Sequence, residues 1–436
     1  MFFDVSQKPD ASLYVSRRKD LVNAIKQELK ASKSDILLLF ASFERATELF
    51  RQDSSFFYLT GIREPGIALV SEMNEKATLY IPNCEQDRTQ WMHTPVPLTQ
   101  ENSKNIGVDS IAFLGDVCPG YQFHPFFPQN EYKTILEKIK KTVDAGGKIF
   151  TLNPKNSHEY VQQRLLLERI KNFIPGFEAA LVDVSALVAT MRRKKDMHEI
   201  ERTYEAVNVT IVAHETAAQA IEQNVSEREI QGALEYVFTA AGGRAAFPSV
   251  VASGINGTVL HYTDNNGELK DGDLILIDIG AQVDHYCADI TRTYPVSGAF
   301  TDRQRELYNA VLETQNYIAD LAKPGMWLRN EKEEEKSLHH LAKKKLESKD
   351  LGKHFPHGIG HFLGLDVHDV GNYSRPLEPG DLFTIEPGVY IKEENIGIRI
   401  EDNFWMGKSG VVCLSEELPK DPDEIEKLME KETPAE

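Results

Sequence analysis

The residues best suited to chemistry lie between His357 and Glu401, where HGIGHFLGLDVHDVG, LFTIEPGVY and IGIRIED follow one another. His357, His361 and His368 stand there with Glu386, Glu401 and Arg399 among turn glycines and short apolar runs. Successive strand side chains alternate in face, which places Glu386 with Leu382 and Thr384, and Glu401 with Arg399. Both acids are expected to end strands. A carboxylate half-buried beside Ile and Val needs a cation or hydrogen-bond donors to offset its desolvation. Arg399 supplies one positive charge; a metal answers for more.

A second pair of acids lies upstream. In DGDLILIDIG, Asp278 shares a face with Leu274 and Leu276; in the next apolar run Asp289 shares a face with Cys287, Thr291 and Thr293. The connection between them, residues 279–288, suits neighbouring strands, so the two acids are expected to face each other. Unpaired at that range they would repel, and one would stay protonated. Taken singly, each acid reads more readily as structural. Together with His361, Glu386 and Glu401 they make an oxygen-rich set with a single imidazole. That set suits a carboxylate-bridged pair of divalent ions, Mn²⁺ first, with Co²⁺ or Zn²⁺ as alternatives. His357 and His361 would share one face of a helix, whereas Gly358 and Gly360 point to a turn or strand. Spacing leaves both open.

The elements that must position these groups fall into two regions. A chain of 436 residues exceeds one ordinary core and predicts two domains. Up to residue 172, helical stretches at 14–29, 130–141 and 159–172 alternate with apolar runs at 36–40, 67–70, 77–81 and 148–152, an α/β pattern. Pro175 and Gly176 stop a helix, and the basic run Arg192-Arg193-Lys194-Lys195 follows, which divides the chain into residues 1–175 and 176–436. Beyond the break, Asp196 with Glu199 and Ser226 with Glu229 are capping boxes that open two amphipathic helices. Strand-like runs at 272–280, 286–296, 382–390 and 397–404 then predict a curved antiparallel sheet covered by helices. Trp91 stands in a polar segment ahead of Pro95 and Pro97. It either packs within its own domain or forms a lid over a neighbouring subunit's site.

Composition narrows the function further. Lys and Arg total 49 against 67 Asp and Glu, a formal charge of -18, which argues against a nucleic-acid partner needing a basic footprint. The four cysteines are far apart and form no CxxC pair, which fits a reduced, cytoplasmic setting. No run approaches the roughly 20 apolar residues a membrane helix requires, so no membrane partner is expected.

These motifs resemble those of the proline-specific pita-bread metallopeptidases, above all the Xaa-Pro aminopeptidases, across nearly the whole chain. They are LHYTDN around His261, IDIG and ADITRTYPV around Asp278 and Asp289, HGIGHFLGLDVHDVG, TIEPGVY and GIRIED; RQDSSFFYLTG resembles the family's N-terminal domain. The resemblance implies an α/β N-terminal domain, an α+β C-terminal pita-bread domain, and a dinuclear metal centre on Asp278, Asp289, His361, Glu386 and Glu401. It implies that His261, His357 and His368 line the substrate site, that Tyr390 and Arg399 lie around it, and that Glu386 is both ligand and base. The implied reaction is hydrolysis of the N-terminal Xaa-Pro bond of peptides with proline in second position, by a metal-bridging hydroxide. Trp91 lies where similar aminopeptidases reach across an interface, which implies a homo-oligomer, a dimer or tetramer. Gly360 and Phe362 depart from the Ser and Trp that bacterial aminopeptidases often carry and lean toward the Xaa-Pro dipeptidases. Lys392-Glu393-Glu394-Asn395, however, has no arginine to match the dipeptidases that clamp a substrate carboxylate from a longer insertion. A dipeptidase and a non-catalytic peptide-binding module are the rival readings.

Overall fold

A computed structural model describes residues 10–44, 47–91, 97–121, 129–155 and 159–430. The first apolar run becomes β1 (Ile36–Phe40), buried at every position and therefore central. It pairs antiparallel with β2 (Ala68–Glu72) and parallel with β5 (Ile149–Thr151). β3 (Ala77–Ile81), β4 (Ser110–Phe113) and β6 (Leu181–Asp183) complete a six-stranded sheet in the order β4-β3-β2-β1-β5-β6. Because β6 pairs with β5, this sheet uses chain beyond Pro175. The described chain divides into two compact units at Met191 and Arg192. Cys84 and Cys118, 34 residues apart, come within 3.4 Å at their sulfurs as free thiols. Trp91 is 56% exposed, its ring stacked on Tyr121 at 4.5 Å.

In the second unit both capping boxes form, opening the helices Met197–Ala220 and Glu227–Ala240. They cover strands β7 (Arg244–Ala245), β8 (Val250–Ser253), β9 (Leu274–Ile279), β10 (Ala281–Val283), β11 (Tyr286–Cys287) and β12 (Ile290–Pro295). The sheet orders are β11-β10-β7 and β12-β9-β8, antiparallel throughout. The run expected as one strand over 286–296 is thus two, with Ala288 and Asp289 between them. Close packing causes the break: a Cβ on Gly280 would lie 1.8 Å from the Ala288 carbonyl oxygen, so the chain pinches there with glycine on one side.

The runs expected as strands over 382–390 and 397–404 break in the same way, into β13 (Leu382–Ile385) and β14 (Gly388–Ile391), and β15 (Ile396–Arg399) and β16 (Asp402–Met406). β14 pairs with β15 and β13 with β16, so they are the two halves of one hairpin that bends at Glu386-Pro387 and Ile400-Glu401. Pro387 has no N–H for a ladder, and only its carbonyl accepts, from Ile400 N at 3.3 Å. β17 (Val411–Cys413) extends the β13-β16 sheet.

The basic run Arg192-Arg193-Lys194-Lys195 is largely buried. Arg192 donates to Asp366 at 2.8 Å and to Asp369, Lys195 reaches Asp369 at 3.0 Å, and Arg193 grips both oxygens of Asp381 at 2.8 and 2.5 Å. Three cations therefore tie down both ends of the segment from Asp366 to Asp381, which carries His368 and leads into β13. Each cation or anion left alone in that interior would carry a large desolvation cost, so the pairs fix the segment's path.

Candidate metal centre and substrate site

Two hairpins and one irregular segment build the site. Asp278 lies in β9, directly across from Thr291 in β12. Asp289 immediately precedes β12, two residues before Thr291, so strand alternation brings it to the same face. Glu386 and Glu401 stand at the corners of the bent hairpin, Glu386 just after β13 and Glu401 just before β16. The two hairpins meet where Glu401 N donates to Thr291 O at 3.1 Å. Asn403 joins them again, accepting from Asp289 N at 3.2 Å and donating to Asp289 O.

His361 sits on no helix. Its carbonyl accepts from Thr384 N at 2.9 Å, its own N–H reaches Thr384 Oγ1 at 3.2 Å, and Phe362 bridges to Phe383. The segment thus lies alongside β13 as an extra short strand, which resolves the spacing of His357 and His361 in favour of the glycines. A Cβ on Gly360 would stand 1.9 Å from the Thr384 carbonyl oxygen, so only glycine permits this approach.

These elements converge on one small space. Ligand atoms of Asp289, His361 and Glu401 all lie within 4.8 Å of one another. His361 Nε2 is 3.2 Å from Asp289, 3.7 Å from Glu386 and 3.9 Å from Glu401. Asp278 points to the same place but also accepts from Arg399 at 2.5 Å. Thr291, whose role the sequence did not reveal, donates to Glu401 Oε2 at 2.7 Å and accepts from Arg399 Nε at 3.1 Å. Its only signal was alternation with Asp289. Arg292, fully buried, clamps the carbonyls of Thr291 and Glu401 at 3.0 and 2.9 Å and pairs with Asp402 at 2.7 Å.

Taken by themselves, the acidic side chains of the site repel one another. Burial, then the charges of Asp278 and Glu386, hold Asp289 well above the usual carboxylate range. Burial, then Asp289 and Glu386, do the same to Glu401. Burial raises Glu386 despite the opposing effects of His361 and Arg399. Oδ1 of Asp278 and Oδ1 of Asp289 are buried and accept no hydrogen bond from the described residues. Buried carboxylate oxygens without donors, gathered around an imidazole nitrogen, fit a divalent cation and little else. The donor set is hard oxygen with one nitrogen and no thiolate.

This arrangement makes stability depend on pH. Asp289 and Glu401 have folded-state values above their unfolded ones, so their contribution is complete below about pH 4 and is lost as pH rises through the raised values. A metal ion replaces those protons. Calorimetry of chelator-stripped protein should therefore show that added Mn²⁺ raises Tm more at pH 8 than at pH 6. A gain that shrinks with rising pH would place the ion elsewhere.

Around the centre, His357 Nε2 lies 2.9 Å from Tyr390 Oη and Nδ1 lies 2.8 Å from Gly358 O. Burial, then Arg399, push its pKa down to about 3, so the ring is neutral at physiological pH. Tyr390 also accepts from Arg399 at 2.7 Å, and burial pushes its own pKa up to about 12. The exposed His368 ring lies 4.2 Å from that of His361, and His261 is near enough for its charge to act on both His357 and His368. The residues singled out in sequence thus come together, apart from Trp91, which belongs to the N-terminal unit.

Two hairpins, the first under two long helices and the second bent, with buried carboxylates around one imidazole, define a metallopeptidase of pita-bread architecture. Residues 201–408 match Metallopeptidase family M24, and residues 14–118 match the Aminopeptidase P, N-terminal domain. The chain is 34% identical to the Xaa-Pro aminopeptidase of Haemophilus influenzae over 90% of its length and 93% of the relative's. Among solved structures it resembles a putative aminopeptidase P from Bacillus anthracis, with TM-score 0.81, 28% identity, and 97% and 98% of the two chains covered. It also resembles a zinc-substituted Escherichia coli aminopeptidase P in complex with product, with TM-score 0.77, 29% identity, and 97% and 99% covered. The chain belongs to metallopeptidase family M24.

Proposed function

We propose that this protein is a metal-dependent Xaa-Pro aminopeptidase, which hydrolyses the first peptide bond of substrates with proline in second position and releases the N-terminal residue. The gathering of Asp289, His361 and Glu401 within 4.8 Å, with Glu386 and Asp278 beside them, carries the reading. Those five side chains are the ligands for two divalent ions, with Mn²⁺ the first candidate. When bound, such ions lower the pKa of water and polarise a carbonyl. Glu386, 3.7 Å from both His361 Nε2 and His357 Nδ1, accepts the proton of the attacking water. His261 or His368 stabilises the oxyanion or steers the leaving proline nitrogen, because an imidazole donates without adding fixed charge, while His357, kept neutral and held by Gly358 and Tyr390, lines the substrate site. Asp278 is placed to receive the substrate's free amine.

The relatives' names favour this reading over a dipeptidase, and no arginine stands in the short β14-β15 connection. Hydrolysis of Xaa-Pro against Xaa-Pro-Yaa peptides, with Mn²⁺ returned to stripped protein, tests it. Cleavage of the longer peptides is expected. Turnover of dipeptides alone, or none with metal restored, would overturn it.

The exposed, Tyr121-stacked indole of Trp91 supports an intersubunit role. Sedimentation of wild type and Trp91→Ala should show a dimer or tetramer that the substitution weakens, since a buried indole contributes on the order of 2 kcal/mol at an interface. A fully active wild-type monomer would end that assignment.

A further inference from the structure

His261 lies in a stretch with no regular ladder: residues 261–267 form neither helix nor strand. Side chains must therefore hold its backbone. One carboxylate grips this stretch near both ends, at Tyr262 and at Gly267. Glu227, at the first position of the helix Glu227–Ala240, is 0% exposed. Its Oε1 accepts from Ser253 N at 2.7 Å, Ser253 Oγ at 2.8 Å and Asn256 Nδ2 at 3.0 Å. Its Oε2 accepts from Tyr262 Oη at 2.8 Å and Gly267 N at 2.7 Å. The helix returns one bond, Glu227 N to Gly267 O at 2.9 Å. Burial pushes the carboxyl up, but the hydrogen bonds from Ser253, Asn256 and Gly267 outweigh it and keep the group below the usual range, hence ionised.

All five donors come from residues 253–267, and none belongs to a candidate metal ligand. Tyr262, next to His261, packs with Leu260 against the cluster formed by Val250, Ala252, Leu276 and Tyr390. Tyr390 in turn bonds His357 and Arg399. The buried carboxylate thus holds Tyr262 against the apolar cluster that includes Tyr390, on the substrate side of the site.

We propose that Glu227 is a positioning residue, which holds His261 and Tyr262 against Tyr390 so that the His261 imidazole meets the bound peptide. This rests on reading His261 as a substrate contact. Glutamine at position 227 keeps the shape but turns one oxygen into a donor facing other donors, and the segment must shift.

The test is a double-mutant cycle of wild type, Glu227→Gln, His261→Ala and the double variant on an Xaa-Pro-Yaa peptide, with metal content and Tm for each. Glu227→Gln should lower kcat by about 10–100-fold, the usual range for supporting groups, with metal content unchanged. The double variant should be no slower than His261→Ala alone, because coupled residues are not additive. Effects that multiply in full, metal loss, or an unchanged kcat in Glu227→Gln would overturn the proposal. An unchanged kcat in His261→Ala would instead overturn the reading of His261. Should Glu227→Gln fail to fold, Tyr262→Phe removes one donor and completes the cycle. A fall in kcat that disappears in the His261→Ala background supports the role, and no fall refutes it.

Discussion

Glu386→Gln should lower kcat by at least about 10³-fold, roughly 4 kcal/mol of barrier, and should leave the fold intact. Two roles meet on this side chain. It stands 3.7 Å from His361 Nε2 and 3.7 Å from His357 Nδ1, between the candidate ligands and the neutral imidazole. Glutamine removes the base and also one negative charge from the centre. The metal-free protein should not suffer, because burial and Asp278 already disfavour the ionised form of Glu386. Its Tm should be unchanged or higher, while Mn²⁺ raises it less than in wild type. Activity within about tenfold of wild type would put little more than roughly 1.4 kcal/mol at stake and remove Glu386 from the mechanism.

The second large effect separates three histidines that sequence alone groups together. His361→Ala should lose most of its metal, whereas His357→Ala and His368→Ala should retain it and lose about 10²-fold or more in kcat. Hydrogen bonding explains the difference. Nδ1 of His361 faces Phe362 O at 3.1 Å, which assigns the proton to that nitrogen and leaves the Nε2 lone pair toward Asp289 and Glu401. His357 has both nitrogens engaged, by Gly358 O and Tyr390 Oη, and offers an ion no lone pair. His368 is exposed beside the His361 ring. Metal analysis of the three purified variants decides the matter; equal loss in all three would show that the tautomer argument fails.

Much of the site was legible because residue type and alternation act locally. Asp278, Asp289, Glu386 and Glu401 could be assigned to strands and faces from a few neighbours, and both capping boxes form as read. Contacts between distant segments were not legible in this way. The two strand breaks arise where Gly280 meets Ala288 and where Pro387 opposes Ile400, neither of which changes the local hydrophobic pattern. The run Arg192-Arg193-Lys194-Lys195 was legible only as a boundary marker, because the partners of Arg192, Arg193 and Lys195, namely Asp366, Asp369 and Asp381, lie some 170 to 190 residues away. Glu227 gave no signal in the sequence for the same reason: its donors begin 26 residues downstream.

The bend in the β13-β16 hairpin also governs where this enzyme tolerates change. Glu386 and Glu401 lie on the body side of β14 and β15, and the chain beyond them ends in a tip at Lys392–Glu394. Residues inserted at that tip leave the paired register from Gly388↔Arg399 to Ile391↔Ile396 intact, so both glutamates stay in place. A single residue gained or lost between the corner and the tip, on one arm only, reverses the facing of every side chain beyond it. The hairpin therefore partitions its own sequence into a tip that accepts added length and a frame that does not, and the chemistry is carried by the frame.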